Sequence, residues 1–90
     1  MTETLKDCIK IVIVEDFKLT RVGLRCALNA NEDMTVVAES EDAVEGLKLI
    51  ERTKPHVVLM DLGLPGMNGI EAMLKLKEMM PVLRVTMQNL

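Results

Sequence analysis

The hydrophobic positions follow two different periods along the 90 residues. Ile9-Lys10-Ile11-Val12-Ile13-Val14 is a β-branched run that predicts a first strand. Glu15-Asp16 closes it, and Asp16 is placed to cap a helix over roughly 17–30. Met34-Thr35-Val36-Val37-Ala38-Glu39 predicts a second strand. Asp42 with Glu45 three residues on has the form of a capping box, with Asp in place of Ser or Thr. It opens a helix to about Thr53, on which Ala43, Leu47 and Ile50 form one face. Lys54-Pro55 ends that helix, and Val57-Val58-Leu59-Met60 predicts a third strand. A loop with Gly63, Pro65, Gly66 and Gly69 follows, then a third helix from Ile70 to Met80 that Pro81 stops, and a fourth strand from Val82 to Met87.

Strands alternating with helices of this length imply βαβ units, a parallel sheet and right-handed crossovers. The strands are nearly all apolar, as expected where both faces of a sheet are covered. The expected fold class is α/β, with a flavodoxin-like strand order of 2-1-3-4 and three helices. Residues 1–8 form a polar lead and 9–90 a single small domain. Only one residue is aromatic, so Val, Leu, Ile and eight Met must fill the core, Met73, Met79 and Met80 among them.

The first helix carries more apolar surface than one sheet can use. Phe17, Leu19, Val22, Gly23, Leu24, Cys26, Ala27, Leu28 and Ala30 spread over roughly two thirds of its circumference, where about 100° would suffice. Lys18, Arg21, Arg25 and Asn29 fill the remaining arc and read as a solvated face. The excess predicts a second helix packed beside the first. With no fourth helix in this sequence, the chain by itself is expected to be marginal or to self-associate, a homodimer being one form of this.

Charge narrows the function classes. The net charge is −3 and no basic run occurs, which argues against direct nucleic-acid binding. No apolar stretch approaches the ~20 residues of a membrane helix, and the first residues lack a signal peptide's layout. Cys8 and Cys26 have neither metal-ligand nor redox-pair spacing, so both are expected to be free packing thiols in a reducing cytoplasm. His56, beside Pro55, reads as an exposed loop residue.

The candidate chemistry is acidic. In open α/β sheets ligands bind beyond the carboxyl ends of the strands, where the strand order reverses. With order 2-1-3-4, the first and third strands are neighbours about 4.8 Å apart. Glu15 and Asp16 end one and Asp61 ends the other, so three carboxylates converge. Crowded like charges raise one another's pKa, and a hard divalent cation relieves them. Mg²⁺ prefers such oxygen donors and leaves positions for water and phosphate oxygens. This arrangement suits phosphoryl transfer onto a carboxylate.

Ile11-Val12-Ile13-Val14-Glu15-Asp16, Val57-Val58-Leu59-Met60-Asp61 and Leu64-Pro65-Gly66-Met67-Asn68-Gly69 together resemble the receiver domain of bacterial two-component response regulators. Arg21-Val22-Gly23-Leu24 and the run from Gly63 to Glu71 are similar to receivers that precede a LuxR-type helix-turn-helix domain. The resemblance implies Asp61 as phosphoacceptor, and Asp16, Asp61 and the Gly63 backbone carbonyl as Mg²⁺ ligands. It implies that Glu15 acts on the metal through water, and that a sensor histidine kinase is the phosphodonor. Receivers have five β/α units, and the fifth is absent here. Their strand-four hydroxyl falls near Asn89, with Thr86 in mid-strand, and their strand-five lysine has no counterpart. The alternative function is therefore an impaired, non-phosphorylated receiver fragment acting as a protein-interaction module. A Mg²⁺-dependent phosphohydrolase is a third class, disfavoured because Gly63 stands where a general acid is wanted.

Overall fold

The computed structural model describes residues 8–61, 69–79 and 84–88. Seven elements alternate along the chain: β1 (Ile9–Val14), α1 (Lys18–Asn29), β2 (Met34–Ser40), α2 (Ala43–Thr53), β3 (Val57–Asp61), α3 (Gly69–Met79) and β4 (Arg84–Gln88). The sheet is parallel, in the order β2-β1-β3-β4. This is the flavodoxin-like α/β arrangement expected from the pattern. Met80 and Asn89, and the side chains of Met73 and Met79, lie outside the described residues.

Side chains alternate across β1, and this divides the interior in two. Val12 and Val14 join Ala43 and Ile50 of α2, Val58 and Met60 of β3, and Leu76 of α3 in one fully buried cluster. Ile11 and Ile13 are buried on the opposite face, where right-handed connections place α1.

The pairing of β1 with β2 contains a bulge. Ile11 pairs with Val36 but Val12 with Ala38, so Val37 is the extra residue. A one-residue slip transfers all later side chains to the other face. Glu39 therefore pairs with Ile13 and stands on the face of α1 rather than that of α2.

Helix α2 begins at the predicted Asp42 cap but makes only half of a capping box, since the Asp42 N–H donates to Ser40 Oγ at 3.2 Å rather than to Glu45. Asp42 is the N-cap, and its Oδ1 accepts a hydrogen bond from the Glu45 N–H at 2.8 Å. Lys54 ends it in the left-handed region at φ 49°, immediately before buried Pro55. His56 is exposed as expected, but it also extends the sheet: its N–H donates to the Lys10 carbonyl, and its Nδ1 accepts from the Lys10 N–H at 2.9 Å.

Helix α1 departs from expectation in two ways. Its N-cap is Phe17, with no side-chain capping bond, so Asp16 is not the cap. The helix starts one residue later than an Asp16 cap would set it, and the Phe17 N–H donates to the Glu15 carboxylate at 3.0 Å. Nor are Arg21 and Arg25 a solvated face. Both bind Glu39, and Asn29 one turn further on accepts from the Val36 N–H. The polar arc thus lies along β2, and the surplus apolar arc is left outward. None of the twelve α1 residues is buried, and Leu19 is 74% exposed. Cys26 shares that outer surface and Cys8 is exposed too, so the thiols are free but do not pack in the core.

Gly46 marks the closest approach of α2 to the sheet. A Cβ there would lie 2.9 and 3.0 Å from the two methyl carbons of fully buried Val14. Val is stiff about χ1 and has nowhere to turn. Gly46→Ala gains about 0.5–1 kcal/mol of helix propensity, but overpacking costs about 1–3 kcal/mol. Urea unfolding should therefore show net destabilisation by roughly 1 kcal/mol, and this cost of Gly46→Ala should disappear when it is measured in a Val14→Ala background. A stabilised single variant would place the helix farther from β1.

Candidate metal and phosphoacceptor site

Strand register builds the site. Ile11 to Val14 of β1 pair one for one with Val57 to Met60 of β3. One residue on, Glu15 and Asp61 emerge side by side at the carboxyl edge. Asp61 remains inside its strand, paired with Gln88 of β4, so its backbone is held within the sheet. Asp16 follows Glu15 on the turn into α1. Carboxylate oxygens of Glu15, Asp16 and Asp61 all lie within 4.8 Å of one another.

Burial is graded across the three. Glu15 is fully buried, Asp61 half-buried and Asp16 exposed. The Glu15 carboxyl is held above its usual pKa of 4.5. Burial is the largest cause, opposed by the Phe17 N–H; the charges of Asp61 and Asp16, and a hydrogen bond with Asp61, raise it further. The crowding that raises the Glu15 pKa is the kind that a bound positive charge relieves. The donor set fits a hard cation: three carboxylates at the carboxyl edge of two adjacent strands, one buried and the others at least partly open to water. Gly63, the remaining predicted ligand, lies outside the described residues.

Two residues of the surroundings were missed by sequence reasoning as parts of one assembly. Arg21 donates from Nη1 to the Glu15 carbonyl at 2.9 Å and from Nε to Glu39 at 3.2 Å, and its side chain is only 12% exposed. Arg25 holds the other Glu39 oxygen at 2.7 Å. The available signal was Glu39 itself, a charge at the end of an apolar strand and so in need of a partner. Beyond β2 lies an open polar cavity of about 480 Å³, lined by Arg21, Glu39, Ser40, Glu41, Asp42 and Glu45.

The family model described as "Response regulator receiver domain" matches residues 11–89. The chain belongs to the response regulator receiver family. It is 44% identical over 72 residues to the uncharacterized transcriptional regulatory protein YhcZ of Bacillus subtilis, covering 80% of this chain and 34% of that protein. It is 37% identical over 68 residues to the nitrate/nitrite response regulator NarL of Escherichia coli, covering 76% of this chain and 32% of the relative. Among solved structures, the signal receiver domain of the putative response regulator NarL from Mycobacterium tuberculosis superposes with a TM-score of 0.86 at 29% identity. That match covers 92% of this chain and 67% of the other. This receiver therefore spans about a third of the length of the curated relatives it matches.

The raised Glu15 pKa has a signed consequence. In metal-free buffer the folded receiver binds more protons than the unfolded chain between pH 4.5 and the folded-state value. The stability contributed by Glu15 is fully present below pH 4.5 and is lost as pH rises through the folded pKa. Glu15→Gln removes that loss. Urea unfolding across this range should show the stability of the wild type falling relative to Glu15→Gln as pH increases, and Mg²⁺ should shrink the gap. A difference independent of pH would refute the assignment.

Proposed function

We propose that this receiver is the phosphoacceptor of a two-component signalling pathway, with Asp61 taking a phosphoryl group from a phosphohistidine on a sensor kinase. The observation that carries this is the graded burial of the acidic trio. Glu15 is buried beyond the reach of a donor, and Asp16 lies on the exposed turn. Asp61 is half-exposed, held in the sheet and flanked by both. Its carboxylate oxygen attacks phosphorus, the phosphorus–nitrogen bond breaks, and the imidazole leaves with a proton. The product is an acyl phosphate on Asp61.

Asp16, Asp61 and the Gly63 backbone carbonyl would hold Mg²⁺, with Glu15 acting through water. When bound, the ion supplies charge neutralisation for the phosphoryl oxygens. Glu15 meanwhile anchors the start of α1 through Phe17 and sets the inner wall of the site. The receiver is phosphorylated once rather than turning over substrate, and its state is read by other protein segments. No described helix is long and apolar enough to cross a membrane. Control of transcription, which the name of the relative YhcZ carries, is there the work of a protein about three times the length of the matched segment.

Incubation with Mg²⁺ and acetyl phosphate should add the mass of one phosphoryl group, in a bond stable to acid and labile to hydroxylamine. Asp61→Asn should abolish the adduct, whereas Asp16→Asn should slow its formation. No adduct on the folded wild type would favour a protein-interaction module, and an adduct surviving in Asp61→Asn would exclude Asp61.

A further inference from the structure

We infer that Arg21 is a positioning residue for the acidic site: through its bond to the Glu15 carbonyl it sets the peptide that carries both Glu15 and Asp16. This rests on the cation-binding reading above and extends it to a group that touches neither cation nor phosphoryl donor.

Glu15 lies one residue past β1, where strand pairing no longer determines its orientation. Its peptide is nonetheless held on several sides. The Glu15 N–H donates to the Ser40 carbonyl of β2 at 2.9 Å. The Glu15 carbonyl accepts from Arg21 of α1 at 2.9 Å, and the Glu15 carboxylate accepts from the Phe17 N–H at 3.0 Å. Arg21 is itself fixed by Glu39, the residue before Ser40, and Glu39 is fixed by Arg25. The contacts close a loop through β1, α1 and β2: Glu15 to Arg21, Arg21 to Glu39, and Ser40 back to Glu15. The bulge at Val37 brings Glu39 to the face where this loop can close.

A planar guanidinium suits the task, since it meets a carbonyl and a carboxylate at once in fixed directions. The bond it makes to Glu15 orients the peptide plane between residues 15 and 16. Rotation of that plane would swing both carboxylates away from Asp61. At 12% exposure Arg21 is also a poor contact point for an incoming protein, so its role lies inward.

The proposal has a sign that simple electrostatics does not share. Arg21 is a cation near a cation site, so by charge alone its removal should tighten Mg²⁺ binding. Positioning demands the reverse. Arg25 provides the control, because it carries the same charge in the same network without touching Glu15. Mg²⁺ titrations followed by amide chemical shifts should show Arg21→Met binding about tenfold more weakly than wild type, and Arg25→Met as tightly or slightly more so. Without Mg²⁺, the Glu15 and Phe17 amides should exchange faster in Arg21→Met than in Arg25→Met. A merely stabilising arginine would lower the unfolding midpoint and leave both readouts unchanged, which would overturn the proposal. So would tighter Mg²⁺ binding by Arg21→Met. If the wild type does not respond to Mg²⁺, the cation reading fails and the amide exchange alone decides the role of Arg21. If Arg21→Met does not fold, Glu39→Gln, which frees Arg21 from β2, should give the same changes at smaller amplitude; unchanged exchange and affinity there would equally overturn it.

Discussion

Three carboxylates cannot crowd one sheet edge unless something opposes their repulsion. Two unit charges within 4.8 Å, as on Glu15 and Asp61, repel by roughly 3 kcal/mol at an effective dielectric of about 20. Loss of water from buried Glu15 adds to this. The fold makes the repulsion unavoidable, because β1 and β3 are adjacent, parallel and in register up to the residue before the acids. The raised pKa of Glu15 is one expression of this crowding. With a cation, the same oxygens would serve as the proposed coordination site, with half-exposed Asp61 the proposed phosphoacceptor.

The scaffold keeps this unfavourable arrangement from relaxing. Asp61 is paired on to β4, so its backbone is held within the sheet. Glu15 is tied to β2 through Ser40 and to α1 through Phe17 and Arg21. On the other side of the sheet, α2 presses against Val14 at Gly46, immediately before the acidic pair. Both faces of β1 are thus braced where the charge is concentrated. The apolar surface that α1 leaves exposed at Leu19 plays no part in this bracing.

Much of this was legible in the residues. The alternation of β-branched runs with amphipathic segments gave every element, and the strand order follows from right-handed crossovers and a switch point that needs β1 beside β3. From that order, the meeting of Glu15, Asp16 and Asp61 is a matter of register. What escaped was local. Asp16 looked like a helix cap because Asp is a favoured cap, but the helix starts at Lys18 with Phe17 as its N-cap, and the Phe17 N–H is held by Glu15. Arg21 and Arg25 looked solvated because helical periodicity says which residues share a face, not what that face meets. The answer depended on the bulge at Val37, which turns Glu39 towards α1, and no turn residue or glycine in Met34–Ser40 announces it.

The most direct measurement is paramagnetic broadening by Mn²⁺, a divalent ion with a similar taste for oxygen ligands. Substoichiometric Mn²⁺ added to the isotopically labelled receiver should first erase the amide and carboxyl signals of Glu15, Asp16 and Asp61, with Mg²⁺ restoring them by competition. Broadening centred instead on Glu41, Asp42 and Glu45, or spread evenly over the surface acids, would contradict the claim that the convergence of β1 and β3 creates the cation site.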